Sequence, residues 1–166
     1  GTNHKRNRIF KEFAKMMIYD LIIIGAGASG CMAGVQAGRR GASVLLLEKN
    51  EKIGKKLYIT GKGRCNLTNN SDIQNHLTNT IRGAKFMNGA IRRFTPNDTM
   101  DMFEPYVPLK TEHGNRVFPV SDKSSDIITA LNKMLNNAGV EVKLNTQVNT
   151  ITKQDNVFNI LCNNGD

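Results

Sequence analysis

The sequence has 166 residues, 39% of them hydrophobic, which suffices for one domain with a real core and is too apolar for a disordered chain. Its formal charge is +9, yet its few aromatic residues are not interleaved with the basic ones, which argues against a dedicated nucleic-acid module and a nucleic-acid partner. No apolar run nears the ~20 residues of a membrane span, and Cys31, Cys65 and Cys162 lack disulfide, redox-dithiol or metal spacing; a soluble cytoplasmic protein with no metal and no membrane partner is expected.

Residues 1–16 differ from the rest. His4, Lys5, Arg6, Arg8, Lys11 and Lys15 crowd together with only Glu12 in opposition, and Ile9, Phe10, Phe13 and Ala14 give a faint helical stripe. Three readings stay open: an extension ahead of a start at Met16 or Met17, a basic arm for nucleic acid, or an amphipathic targeting helix. The paired methionines favour the first, so residues 1–16 are set apart from a domain over 17–166.

Next comes Ile22-Ile23-Ile24-Gly25-Ala26-Gly27-Ala28-Ser29-Gly30, with Glu48 closing a second apolar run eighteen residues later. The pattern reads as strand, glycine turn, helix and strand ending in an acid. Gly25 permits the tight turn, Gly27 lets backbone approach a pyrophosphate, and Gly30 lets helix pack on strand. The N–H groups at the start of that helix face the phosphates, and Glu48 accepts from a ribose diol. Residues 19–24 and 44–47 have the continuous apolar character of strands buried on both faces. Between them Gly34 and Gly38 keep the helix thin, and Gly41 stops it. Adenine dinucleotide binding follows, and an acid at 48 disfavours the 2′-phosphate of NADP.

Residues 54–70 show little apolar periodicity and many donors, as in a loop wrapped around a phosphate-bearing ligand, with Arg64 available for a phosphate or for a carboxylate of the fold. The stripe Ile81, Phe86, Met87, Ala90, Ile91, Phe94 predicts partial helix before Pro96. Met100, Met102 and Phe103 predict a short helix ending at Pro105, and both stretches are read as core contacts. Residues 110–120 suggest a hairpin, and Ser124 or Ser125 is expected to cap a helix that carries Ile127, Ile128, Leu131, Met134 and Leu135 and ends at Gly139. Residues 140–144 read as a third parallel strand. Residues 147–151 and 157–162 alternate as two antiparallel strands across a turn at 153–156. Cys31 is a packing residue, Cys65 is loop structure or cofactor contact rather than a redox thiol, and His113 is left outside the site.

Ile23-Ile24-Gly25-Ala26-Gly27-Ala28-Ser29-Gly30, Glu48-Lys49, Gly54-Lys55-Lys56-Leu57 and Thr60-Gly61-Lys62-Gly63-Arg64-Cys65-Asn66-Leu67-Thr68-Asn69 together resemble the BaiN and aminoacetone-oxidase group of FAD-dependent oxidoreductases. Gly114-Asn115-Arg116-Val117-Phe118-Pro119-Val120-Ser121 and Gly139-Val140-Glu141-Val142 extend the likeness to the end of the chain. The resemblance implies an α/β, Rossmann-like FAD/NAD(P)-binding domain in three layers, with a parallel sheet and an antiparallel meander. It implies FAD bound by Gly25, Ala26, Gly27, Ala28, Ser29, Gly30, Glu48 and Lys49. Lys56, Thr60, Gly61, Gly63, Arg64, Cys65 and Asn66 would complete the loop side, and the Val148 backbone would meet the adenine. NAD(P)H as electron donor and a small organic substrate are further implications. Lys62 departs from the pattern, which often has glycine there. Because such proteins are longer, the chain is expected to be the N-terminal part of an FAD-binding domain, incomplete at its C-terminus, inactive alone and open to self-association through a bare sheet edge. An NAD-binding dehydrogenase domain and a non-enzymatic nucleotide- or nucleic-acid-binding module are the alternatives.

Overall fold

The computed structural model describes residues 17–163, so the three readings of the basic segment 1–16 lie outside the described residues. Strand β1 (Leu21–Ile24), helix α1 (Ala28–Arg39) and strand β2 (Val44–Leu47) form the expected unit, with β1 and β2 parallel and Leu21 opposite Val44. Strand β6 (Glu141–Lys143) pairs in parallel on the other side of β2, giving the order β1-β2-β6. The chain reaches β6 through helix α6 (Ser124–Asn137), which packs against α1.

Strand β2 explains the layering. Its four residues are all buried, and side chains alternate across a strand, so they divide between two cores. Val44 and Leu46 join Cys31 and Val35 of α1 and Ile127, Leu131, Met134 and Leu135 of α6. Leu45 and Leu47 face the other way, onto Tyr19, Ile22, Val148, Ile160 and Cys162. The second layer is the antiparallel hairpin of β7 (Val148–Gln154) and β8 (Val157–Cys162), which turns at Asp155 and Asn156, both in the left-handed region. The fold is therefore Rossmann-like: a parallel sheet between helices and a hairpin. Among the described residues no helix is long and apolar enough to cross a membrane.

Gly34 and Gly38 let the two helices meet. A Cβ on Gly38 would lie 2.3 Å from the Ala138 carbonyl oxygen, and one on Gly34 would press on Leu135. Helix α6 starts at Ser124 without a side-chain cap, contrary to the expected serine cap. The Ser124 hydroxyl is instead buried and donates to the Tyr58 carbonyl, tying α6 to the short helix at Lys55–Ile59.

Between β2 and α6 runs an excursion richer than expected. Helix α2 (Lys55–Ile59) and a 3₁₀ turn (Thr60–Gly63) occupy what the sequence suggests is plain loop. A three-stranded antiparallel sheet follows, ordered β3 (Thr68–Asn69), β5 (Arg116–Pro119), β4 (Leu109–Glu112), of which only the β4–β5 hairpin is foreseen in sequence. Helices α3 (Ile73–Thr78), α4 (Ala84–Arg93) and α5 (Pro96–Phe103) lie between β3 and β4. Helix α5 begins with proline in its first turn and a capping box formed by Thr95 and Asp98, and it buries Met102 and Phe103 as expected. Helix α4 corrects the reading: no residue in it is buried, and Phe86 is 88% exposed. Strand β1 is a second correction, since among the described residues it is an edge strand, and its Leu21 and Ile24 are 37% and 51% exposed.

Candidate cofactor-binding site

The turn between β1 and α1 uses each glycine differently. Gly25 has φ +98, a region that costs any L side chain, and its N–H donates to the Leu47 carbonyl at 2.7 Å. Gly30 faces inward, where a Cβ would lie 2.0 Å from the Gly25 carbonyl oxygen. Gly27 is the N-cap of α1, is exposed, and has nothing within 4 Å of where a Cβ would stand. Of the three turn glycines, Gly27 is the one that neither a positive φ nor a packed neighbour requires. No side chain caps α1, so the N–H groups of its first turn open beside Gly27 with the positive end of the helix dipole. Ala28 and Ser29 are exposed at that mouth, while Ala26 is buried. This cradle fits the pyrophosphate of a dinucleotide in shape and charge.

Glu48 stands at the end of β2 on the same side as Val44 and Leu46, which aims it at the glycine turn. It is 8% exposed. One carboxylate oxygen accepts the Ala26 N–H at 2.8 Å. The other accepts the Asn50 N–H at 2.8 Å and the Asn50 side-chain amide at 2.6 Å. Burial pushes this carboxyl upward, but the hydrogen bonds from Asn50 and Ala26, with the charge of Lys49, outweigh it and hold the pKa below the usual range. A carboxylate offers about four lone-pair sites, so the Ala26-bound oxygen can accept a further hydrogen bond. Asn50 is a residue that sequence reasoning missed; nothing but its place two residues after the acid marks it. The Gly54 N–H donates to the Ala26 carbonyl at 2.8 Å, closing residues 49–54 onto the turn.

Lys49 and Lys56 are exposed, and the charge of Lys49 acts on Glu48. The loop that follows is unusual in its backbone. Gly61, Lys62, Gly63 and Cys65 all have φ between +56 and +85. The Thr60 hydroxyl donates to the Leu57 carbonyl, and the Thr60 carbonyl accepts from the Cys65 N–H. Arg64 is committed within the protein: its Nε and Nη2 donate to one Asp122 oxygen, Nη2 also reaches Glu112, and the guanidinium lies 4.1 Å from the Phe118 ring centre. Lys110 bridges the same two carboxylates. These hydrogen bonds raise the Arg64 pKa, and hold Glu112 and Asp122 below the usual carboxylate range. Of the two partners sequence reasoning allowed, phosphate or carboxylate, the structure places carboxylates on Arg64.

Cys65 is fully buried, and burial pushes its thiol up, as it pushes Cys31 to about 11. Neither is a ready thiolate. Ala28 and Met32 of α1, Cys65, Asn66 and Leu67 of the loop, and Phe94 share a small cleft of about 160 Å³, so the loop and glycine turn do meet. Val148, expected at the adenine, lies across the sheet in the second core, paired with Cys162 at a β-bulge that ends before Thr150. On that face a larger open cavity of about 660 Å³ runs between Leu45, Leu47 and the hairpin residues Phe158 and Ile160.

Comparison with known proteins bears on the family and the fold. The model of the family described as HI0933-like protein Rossmann domain matches residues 19–166. A 3-dehydro-bile acid delta(4,6)-reductase of Clostridium scindens is 30% identical over 131 residues, 78% of this chain and 32% of that protein. A ribosomal RNA dihydrouridine synthase of Escherichia coli is 29% identical over 143 residues, 86% of this chain and 35% of that one. The chain thus spans about a third of the length of these relatives. In fold it is similar to the 3-ketosteroid-delta4-(5alpha)-dehydrogenase of Rhodococcus jostii RHA1, with a TM-score of 0.63 at 17% identity over 87% of this chain and 41% of that one. Through residues 19–166 the chain belongs to the HI0933-like Rossmann-domain family of FAD-dependent oxidoreductases.

Proposed function

We propose that this chain is the N-terminal FAD-binding part of a flavin-dependent reductase that saturates a carbon–carbon double bond conjugated to a carbonyl. The observation that carries the cofactor is the contrast at the glycine turn, where Gly30 is closed by the protein's own backbone and Gly27 is open. Gly27, Ala28 and Ser29 at the uncapped start of α1 would hold the pyrophosphate. Glu48 takes a ribose hydroxyl on its remaining lone pair, with Lys49 and Lys56 supplying positive potential nearby. The loop from Thr60 to Asn66, with Gly61 and Gly63, would border the flavin side, and Val148, whose side chain lies in the second core, would meet the adenine only through its backbone. Arg64 acts through Glu112 and Asp122 by holding that loop in shape.

The reaction class is supported by what the two relatives' names have in common. A delta(4,6)-reductase acting on a 3-dehydro steroid and a dihydrouridine synthase both add two hydrogens across a double bond in conjugation with a carbonyl. Reduced FAD supplies the hydride for such an addition, and NAD(P)H is the proposed source of its electrons. The 166 residues supply cofactor binding, while the substrate surface belongs to a remainder of the kind the longer relatives have.

Two alanine variants test the cofactor site against its own fold. Gly27→Ala leaves stability within about 0.5 kcal/mol, because its φ is ordinary and the space is empty, but it removes FAD binding measured by calorimetry. Gly30→Ala costs about 1–3 kcal/mol and removes binding as well. Retention of full FAD affinity in Gly27→Ala, or tighter binding of NADH than of FAD by the parent chain, would overturn the reading in favour of another ligand or of an NAD-linked dehydrogenase.

A further inference from the structure

A chain of hydrogen bonds runs behind Glu48, away from the glycine turn. Lys55, the first residue of α2, donates from Nζ to Asn50 Oδ1 at 3.2 Å, and Asn50 Nδ2 donates to Glu48 Oε1 at 2.6 Å. The Asn50 amide therefore stands between a cation and an anion. Reversed, it would turn its oxygen toward the carboxylate and its NH₂ toward the ammonium, two repulsions in place of two bonds, so its neighbours fix which way it faces. The backbone here is pinned from the far side of the sheet. The Asn50 carbonyl accepts the Asn145 N–H at 3.0 Å, and the Glu48 carbonyl accepts the Thr146 N–H at 2.9 Å, both donors lying just after β6. Residues 48 and 50 are thus set in place by the protein's own bonds.

We propose that Asn50 is the positioning residue of the cofactor site, fixing the rotation of the Glu48 carboxylate so that its Ala26-bound oxygen is the one offered to the ribose, with Lys55 holding the Asn50 amide the right way round. Asn50 places two donors, its backbone N–H at 2.8 Å and its amide, on Oε1 alone, and so gives the two carboxylate oxygens different tasks. Oε2 keeps the Ala26 N–H at 2.8 Å and can take one more donor. Remove the amide, and Oε1 has one partner fewer, the carboxylate can turn, and the same oxygen is no longer always the free one. Other charged and titratable groups act on this carboxyl or on the chain behind it. Cys31 of α1 has a thiol pushed up to about 11 by burial and by the charge of Glu48, Lys49 adds its own charge, and Lys55 also pairs with Glu51 at 3.4 Å. The inference rests on the reading that Glu48 meets a ribose hydroxyl, and adds to it a residue that acts through Glu48.

The test titrates FAD by calorimetry, between pH 5 and pH 8, into FAD-free protein from the complete reading frame and into variants at positions 48, 50 and 55. The parent affinity is flat over that range, because Glu48, held below its ordinary pKa, stays ionised throughout. Asn50→Ala weakens FAD about tenfold at every pH, the loss of one hydrogen bond to a charged acceptor. Lys55→Met weakens it about twofold in the parent and not at all in Asn50→Ala, because Lys55 acts only through the amide. Asn50→Asp is the diagnostic variant: it keeps the shape and the backbone N–H but sets a carboxylate against Glu48. Such a pair takes up a shared proton more readily than an ordinary carboxyl, and the protonated pair restores a donor on Oε1. FAD binding by Asn50→Asp is therefore weakest at pH 8 and tightens at least about threefold toward pH 5. A residue that merely shaped the loop would give Asn50→Asp a loss independent of pH, and that result would overturn the proposal. Parent affinity in Asn50→Ala while Glu48→Ala loses binding would overturn it too, and an equal loss from Lys55→Met in both backgrounds would remove Lys55 from the chain. Parent affinity in Glu48→Ala would instead sink the ribose reading itself. If Asn50→Ala does not fold, the pH dependence of Asn50→Asp decides alone.

Discussion

Glu48 does two things with one carboxylate, and its protonation should be felt in both. It fixes the glycine turn through the Ala26 N–H, and it keeps a lone pair for the ligand. Since its folded pKa is depressed, its stabilisation is fully present above the ordinary carboxylate value of about 4.3 and is lost as pH falls through the lower folded value. Urea midpoints are therefore expected to be flat above about pH 5 and to fall below about pH 4.5, with a shallower fall in Glu48→Gln. Equal slopes for the two proteins would place the acid sensitivity elsewhere. Glu48→Ala leaves the Ala26 and Asn50 N–H groups without an acceptor and costs about 1–3 kcal/mol at neutral pH, readable in the same titrations. Lys62 is the opposite case, a residue the fold tolerates: at φ +57 it sits between two left-handed glycines. Lys62→Gly relieves a cost of about 1–2 kcal/mol but gives back roughly 0.5–1 in unfolded-chain entropy, so a net gain of about 0.5–1 kcal/mol is expected in thermal or urea unfolding. Sequence alone marked Lys62 as a departure, and the backbone supplies the reason that glycine suits the position.

At the scale of elements, what was legible followed from residues whose role is fixed by local chemistry. The glycine turn, the acid after β2, the helical spacing of α6, the β4–β5 hairpin and the β7–β8 turn each need particular residue types at a given spacing. The loop from Thr60 to Asn66 was visible as donor-rich, yet its shape depends on partners about fifty residues downstream, Glu112 and Asp122, which no local pattern announces. Arg64→Lys keeps the charge but cannot make the forked contact on Asp122 together with the Glu112 bond and the stacking on Phe118. A several-fold loss of FAD affinity with near-parent unfolding behaviour is expected from both Arg64→Lys and Asp122→Asn, with non-additive effects in the double variant because they break one interaction. Additive losses in calorimetry would show that Arg64 contacts the cofactor independently. Helix α4 was misread for a related reason. Its apolar stripe predicts a helix, but a stripe does not say whether anything covers it, and here nothing described does.

On the scale of the whole molecule, the two edges of the parallel sheet differ in a way that only the topology reveals. The order β1-β2-β6 puts β6 at one edge, and that short strand carries Glu141 and Lys143, charges of the sort that discourage edge-to-edge pairing. The other edge is β1, Leu-Ile-Ile-Ile, whose outer side has no partner strand among the described residues. A continuous apolar run such as 19–24 reads in sequence as a strand buried on both faces, because burial and edge position have the same local spelling; the exposure of Leu21 and Ile24 separates them. Unpaired N–H and C=O groups along an apolar strand are a template for a second copy. The 166-residue chain is thus expected to associate reversibly through β1, with weight-average sedimentation coefficients rising with concentration. Leu21→Lys, at the end of the strand away from the glycine turn, puts a charge on that edge at a cost of about 1 kcal/mol or less and should hold the chain monomeric. The same variant should bind FAD as the parent does, since Leu21 touches neither the cradle at Gly27 nor Glu48. Association that persists unchanged in Leu21→Lys would move the contact off β1, and the exposed apolar side chains of α4 would then be the surface to substitute next.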